Sequence, residues 1–444
     1  MKHLFGVVCL ILVLSVVCAA QLVPPFIHGP YSGAPGGESV TISWLLPASM
    51  TATVTYARSN VYQDTGGMIM SVAVPASTDS KPRTTDVQLD GLAPDTAYVY
   101  QVLVQSGSQT IASPIGHFRT APAPGGIVSG GPVRDTRVRF AVLADTQWQW
   151  DGPNRLVWVG DAIARDAVDA DGHGIDFILH GGDLVESPSS YYWKNWFSSF
   201  ENMLLVAPFI PVLGNHEKNH RTYYEYFAHP PGGGKDGERW WSLHWGEVVV
   251  VGIDTNVRSV ADIKAQQDWL EQELSGSETH KFVIFHHPVF SSDAYHGSGY
   301  SYDVIYHPIF VKTGVDIVFN GHAHNYERIM RDGVTYLVVG GGGATPTAMA
   351  ETRVDGSIVA TTDHNFYAMV ETYPDRIDVR VVSVDRVDGD TATLTPGETL
   401  DAFSLPSAKK SVSPTAAAPL GVGWIVITAI VAIGIWALVR GDTP

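Results

Sequence analysis

Arg139-Phe140-Ala141-Val142-Leu143-Ala144-Asp145-Thr146-Gln147 is the stretch from which the fold of this chain follows. An unbroken run of apolar residues that stops on a carboxylate is expected where a buried strand ends and its last side chain leaves a rigid support. Four more short apolar β-type runs end in the same manner, on Gly182-Asp183, Gly214-Asn215-His216-Glu217, His286-His287-Pro288 and Gly321-His322-Ala323-His324. One such fragment carries little weight. Five in this order, each behind a predicted strand, point to one site assembled from strand ends.

Working outward, strands are predicted over 139–144, 177–180, 209–213, 248–253, 282–285, 315–319 and 336–339. Helical periodicity fits 156–170, 192–205 and 261–274. A βαβαβ alternation followed by further strands predicts an α/β core with stacked sheets. Late strands over 366–370 and 377–384 extend it.

Upstream, residues 24–122 offer short β-forming runs separated by turn residues and no long helical period. In Leu89-Asp90-Gly91-Leu92-Ala93-Pro94-Asp95-Thr96-Ala97-Tyr98-Val99-Tyr100-Gln101-Val102 a turn at Pro94-Asp95 precedes a strand whose alternate residues Tyr98, Tyr100 and Val102 share one face. With Trp44 in an early strand, this stretch resembles the fibronectin type III pattern, which implies an all-β sandwich. Its expected role is packing or positioning. Residues 123–136, rich in Pro and Gly, read as a linker, and 137–403 as the domain that carries the chemistry.

The two ends predict export. Lys2 and His3, an apolar run over 4–17 and Cys18-Ala19-Ala20 before Gln21 have the layout of a signal peptide spanning 1–20. Both cysteines, Cys9 and Cys18, lie inside it, so no disulfide or thiol chemistry is expected in the mature chain. Residues 404–419 read as a Pro/Ser/Ala/Thr-rich stalk. The apolar run over 420–439, with Trp424 and Trp436 near its ends and Arg440 behind it, reads as a C-terminal transmembrane helix, or alternatively as a processed anchoring signal. The expectation is a protein secreted across the membrane and anchored at the cell surface by that single segment. A formal charge of −17 without a Lys/Arg-rich stretch argues against nucleic acid as a partner.

Carboxylate, amide carbonyl and imidazole groups on rigid supports are what hard or borderline divalent ions require. Asp145 and Asp183 supply carboxylates, and Asp183 is the candidate to bridge two cations. Asn215 offers a neutral oxygen, with His216 beside it projecting elsewhere. His322 and His324 flank Ala323 in a turn that aims one imidazole at each metal. Taken singly, an Asp at a strand end is more often a helix cap, and a His more often a hydrogen-bonded core residue.

The set resembles the calcineurin-like metallophosphoesterase superfamily over roughly residues 140–384, and the sandwich in front resembles purple acid phosphatases. That resemblance implies a four-layer α/β/β/α metallophosphoesterase sandwich behind the fibronectin type III-like domain. It implies two divalent metal ions (Mn, Fe or Zn), with Asp145, Asp183 and His324 on one and Asp183, Asn215, His286 and His322 on the other. It places His216 near the phosphate as proton donor or transition-state hydrogen-bond donor, with Glu217 orienting it. Two departures stand out. Where purple acid phosphatases continue to the tyrosine that binds ferric iron, Gly182-Asp183-Leu184-Val185 is followed by Glu186, so a colourless centre of divalent ions is expected. Where many relatives have Asp-x-His, Gln147 stands instead, as a weaker ligand or a partner for a bound water.

The expected chemistry is hydrolysis of a phosphate ester by metal-activated water, the cations lying roughly 3.5 Å apart. His296 is a candidate phosphate contact, whereas His220 and His287 have weaker cases. Gly340 to Gly343 lacks the Lys-Ser/Thr and helix start of a nucleotide loop and is expected to pack closely beneath the site. An exported phosphomonoesterase is the leading expectation, and a phosphodiesterase of the same superfamily the alternative. A surface binding or adhesion protein on a retired hydrolase scaffold is the alternative from another class.

Overall fold

Strand Val138–Leu143 is buried along its whole length, and its two faces enter different cores. Val138, Phe140 and Val142 point into the space between two β-sheets, whereas Ala141 and Leu143 face a layer of helices. A strand covered on both sides has no polar face to show, which is why the sequence reads as an unbroken apolar run from Phe140 onward, Arg139 before it being paired with Glu371 at 3.1 Å. The computed structural model describes residues 26–47, 50–76, 84–123, 137–147, 155–170, 172–234, 239–299, 301–388 and 391–407.

In the first sheet Val138–Leu143 pairs in parallel with Phe177–His180, and that strand in parallel with Phe209–Pro211. On its other edge it pairs antiparallel with His364–Tyr373, followed by Arg376–Asp388 and Thr391–Leu394. The second sheet has a parallel centre made of Val248–Gly252, His280–Phe285, Ile317–Asn320 and Val334–Val339. There too the faces alternate: Val250, Phe282, Ile284 and Phe319 meet the first sheet, while Val251, Val283 and Phe285 meet helices. Arg155–Arg165 and Ser190–Ser199 cover the first sheet, and Val260–Glu273 and His307–Thr313 cover the second. The result is four layers, α/β/β/α. Because the parallel strands are in register, with His180 opposite Leu143 and Pro211 and Phe285 opposite Asn320, their carboxyl ends and the loops after them gather at one edge.

The upstream domain is a sandwich. One sheet holds His28–Gly33, Val40–Leu45 and Thr84–Leu89, and the other is built around Ala52–Arg58 and Ala97–Ser106. Trp44, Val54, Tyr98, Tyr100 and Phe118 share its core, and the Tyr98 hydroxyl accepts the Ala93 N–H at 2.9 Å, fixing the corner. The sandwich rests on the helical layer. His28 stacks on Phe197 at 3.9 Å, the Tyr31 hydroxyl donates to the Tyr226 carbonyl, and the His117 N–H donates to the Leu205 carbonyl at 2.7 Å.

Three expectations are corrected. No helix among the described residues is long and apolar enough to cross a membrane, so the fold described is the α/β domain and its β-sandwich without a spanning helix. The anchor expected over 420–439, and surface attachment through it, lie outside the described residues, as does the signal peptide expected over 1–20. The stalk expected from 404 begins inside a strand: Thr399–Pro406 pairs antiparallel with Arg376–Asp388, Ser404 opposite Asp378. The helix expected over 192–205 is two helices, Ser190–Ser199 and Glu201–Leu204, because Phe200 leaves helical geometry at φ −106° and ψ 11°.

Candidate metal centre

The loops after the strands bring the expected ligands together. His286 Nε2 lies 3.1 Å from Asp183 Oδ2 and 2.9 Å from Asn215 Oδ1. His324 Nε2 lies 3.6 Å from Asp145 Oδ1. Donor atoms of Asp145, Asp183 and His286 fall within 4.8 Å of one another, and so do those of His286, His287 and His322. The two carboxylates are 0% and 1% exposed.

Three of these residues hold backbone conformations that L-residues seldom adopt: φ is +59° at Asp145, +54° at Asp183 and +68° at His322. Such geometry costs about 1 kcal/mol or more at each and clusters where function demands it. The surroundings enforce it. The Asp145 carboxylate accepts the His322 N–H at 2.8 Å, linking strand ends 177 residues apart. Asp183 accepts the His216 N–H at 2.8 Å. His286 is oriented by the Gly181 carbonyl at 3.0 Å and His324 by the Thr345 carbonyl at 2.8 Å, which leaves each Nε2 facing the centre. Gly214 is required here, since a Cβ on it would stand 2.1 Å from the Asp183 nitrogen. Beneath the site the Gly340 to Gly342 run does pack closely, a Cβ on Gly340 meeting the Ala323 carbonyl at 2.0 Å.

Burial pushes the Asp145 carboxyl well above the usual carboxylate range, against the charge of His286. Burial would raise Asp183 as well, but His286 and then His216 bring it below its ordinary value. Burial lowers the His286 imidazole, yet Asp183 outweighs it and the ring is pushed up to about 9. Asp183 and His286 therefore form a buried ion pair whose proton a bound cation would replace. Burial holds His324 near 4 and, with His287, drives His322 well below the usual value, so both are neutral and able to ligate.

Comparison with known proteins fits this geometry. The family model described as "Calcineurin-like phosphoesterase" matches residues 138–326, and "Purple acid Phosphatase, N-terminal domain" matches 24–120. The chain thus carries a calcineurin-like phosphoesterase domain behind a purple acid phosphatase N-terminal domain. Purple acid phosphatase 15 of Arabidopsis thaliana is 26% identical over 58% of this chain and 53% of its own length. Fe(3+)-Zn(2+) purple acid phosphatase 12 from the same plant is 29% identical over 38% of this chain and 40% of its own. A solved purple acid phosphatase from yellow lupin (Lupinus luteus) seeds superposes with a TM-score of 0.66 at 16% identity, covering 85% of this chain and 74% of that one, which shows a shared fold. The chain spans about half the length of the curated relatives it matches.

The donor set of this domain fits metal ions. Gln147 lies in the centre, its Nε2 2.9 Å from His324 Nε2 and 3.4 Å from Asp183 Oδ2. Its Oε1 is buried with no hydrogen-bond partner, an orphan that a cation or its bound water would satisfy.

His216 has its Nε2 3.9 Å from Asp183 Oδ2. Glu217 does not orient it, contrary to expectation. The Glu217 carboxylate accepts four backbone N–H groups, those of Asp183, Leu184, Val185 and Gly214, and so ties two ligand loops together. Burial and Asp183 raise its carboxyl to about 7 against the pull of those donors. His216 is held instead by Glu186, whose carbonyl faces Nδ1 at 2.8 Å and whose carboxylate lies 3.5 Å away.

His296 stands beside the centre, its ring 4.1 Å from that of His322. His220 caps helix Arg221–Tyr226, its side chain accepting the Thr222 N–H. His287, a weak candidate by sequence, lies in the cluster with Nδ1 2.7 Å from the Thr255 hydroxyl, and the doublet His286-His287 was the available signal. Sequence reasoning also missed the support beneath the first two loops. The Thr146 hydroxyl accepts the Trp196 indole N–H at 2.9 Å, donates to the Leu184 carbonyl at 3.0 Å, and lies 3.0 Å from His180 Nε2.

Proposed function

We propose that this chain hydrolyses phosphomonoesters with two divalent cations bound at the strand ends. The observation that carries the reading is the convergence of Asp145, Asp183, Asn215, His286 and His324 on one buried centre, with His216 beside it. Asp183 would be shared between the cations, Asp145, His324 and Gln147 Oε1 serving one and Asn215, His286 and His322 the other. When bound, such a pair generates hydroxide near neutral pH and neutralises charge on the phosphoryl oxygens. A named relative carries Fe(3+) and Zn(2+). Here Glu186 stands where the ferric ligand would be expected and is turned to His216, which favours Mn, Zn or Fe(II).

The chain's own residues supply the rest. With Nδ1–H directed to the Glu186 carbonyl, His216 presents Nε2 to the substrate side. Its side chain is partly open, so a proton held on Nε2 can pass to the leaving oxygen and be replenished from solvent. His296, next to His322, is placed to donate to a non-bridging phosphate oxygen. Glu217 and the Gly-rich loops keep these groups from drifting.

The test is hydrolysis of p-nitrophenyl phosphate and bis-p-nitrophenyl phosphate by the chelated protein and after adding Mn, Zn or Fe(II). Metal-restored turnover of the monoester is expected. His216→Ala should lower kcat by about 100- to 10,000-fold with bound metal unchanged. Preference for the diester would replace the monoester reading, and no turnover with either ester would overturn both.

A further inference from the structure

The loop between Ser291 and Gly299 carries an aromatic ring that the chemistry above does not use. Tyr295 is 80% exposed, yet the backbone beneath it is anchored on both sides. Asp293, 4% exposed, accepts the N–H of Tyr295 at 2.9 Å and of His296 at 2.6 Å through Oδ1. Its Oδ2 accepts the Asn325 amide at 2.8 Å and the Thr347 hydroxyl. The Ala294 N–H donates to the Ala348 carbonyl at 2.8 Å, and Ser292 donates twice to buried Glu327, at 2.7 and 2.6 Å. Asn325 adjoins the ligand His324, and the Thr347 hydroxyl accepts the His324 N–H at 3.1 Å. The loop tip and the ligand turn are therefore one rigid piece.

On that piece the Tyr295 ring stands edge-on to His296 at 4.7 Å, and His296 lies 4.1 Å from His322. A large ring left in water costs hydrophobic free energy, and a fixed backbone removes the entropic penalty that usually weakens a surface aromatic as a contact. Its distance from the centre, one imidazole away, is where the organic part of an ester would emerge if its phosphate sat against the ligands. We propose that Tyr295 determines specificity by seating a planar aromatic leaving group. This rests on the phosphomonoesterase reading of the site.

The test uses the metal-loaded full chain and its Tyr295→Ala and Tyr295→Phe variants. Binding of phenylphosphonate and methylphosphonate is measured by calorimetry, and kcat/KM for phenyl phosphate and glycerol phosphate by phosphate release. Tyr295→Ala should weaken phenylphosphonate binding about fivefold and raise KM for phenyl phosphate about fivefold, with methylphosphonate and glycerol phosphate unmoved and kcat kept. Tyr295→Phe should keep the preference. Equal effects on aromatic and aliphatic compounds, or none, would overturn the proposal while leaving the hydrolase reading intact. Tyr295-dependent binding of phenylphosphonate without turnover of either ester would retain the aromatic seat and remove the hydrolase reading. Failure to bind either phosphonate would overturn both.

Discussion

The Oδ1 atom of Asp183 accepts the backbone N–H of His216 at 2.8 Å, so the carboxylate proposed to bridge two cations also sets the loop that carries the proposed proton donor. On that reading, metal binding and proton transfer would be joined in one side chain. Replacing Asp183 by Asn keeps an oxygen for that N–H but removes the bridging charge. Bound metal, measured by elemental analysis, should fall from two ions per chain to one or none, with affinity reduced by more than the roughly 100-fold that an outer partner costs. Unchanged metal content would remove Asp183 from the ligand set.

Chelation should destabilise the fold. Asp145 and Asp183 are buried beside each other, and a cation that binds only the folded state adds about 2.7 kcal/mol when present at 100 times its dissociation constant. The melting temperature should drop on chelation and recover with Mn or Zn. In Asp183→Asn most of that gap should vanish.

Iron-loaded protein is expected to be colourless. Glu186 follows Leu184-Val185 where the resemblance calls for tyrosine, and its carboxylate lies 3.5 Å from His216 Nδ1. A tyrosinate-to-iron absorption band in the visible spectrum would show that another tyrosine reaches the metal.

Acid should weaken the junction between the sandwich and the helical layer. Burial lowers the His28 imidazole from 6.5 to about 3, and neither ring nitrogen has a hydrogen-bond partner. The folded ring stays neutral while the unfolded one takes a proton below 6.5, so stability is full above 6.5 and is lost as pH falls towards 3. The loss is about 1.4 kcal/mol per pH unit from this one group. His28→Phe, which preserves the stack on Phe197, should flatten the denaturation midpoint of the metal-loaded chain against pH in that window. An unchanged slope would assign the acid sensitivity elsewhere.

Much of the architecture was legible along the chain. Strands such as Val138–Leu143 and Val248–Gly252 are covered on both faces, and that burden leaves them apolar apart from the ion-paired Arg139, so they stand out without any partner being known. Strand Trp240–Trp245 escaped because alternate residues, Ser242 and His244, lie outside the core and break the run. The helix expected past Arg165 escaped in the other direction: apolar spacing continues to Val168, but the backbone turns there to form a bridge with Gly174. Such endings depend on what the chain meets next.

The sequence by itself determined the candidate donor set and its order, from Asp145 to His324, because few side chains suit a divalent ion and because parallel strands must deliver them at one end. Only the tertiary structure decided how they are held. Glu217 turned out to bridge two loops through their amides, Glu186 to hold His216, and Asp293 to join the Tyr295 loop to the turn of His324. The physical reason is range. Ligand chemistry is a property of a residue type, whereas a hydrogen bond between positions such as Asp145 and His322, 177 apart, exists only after the strands between them have paired and fixed their distance.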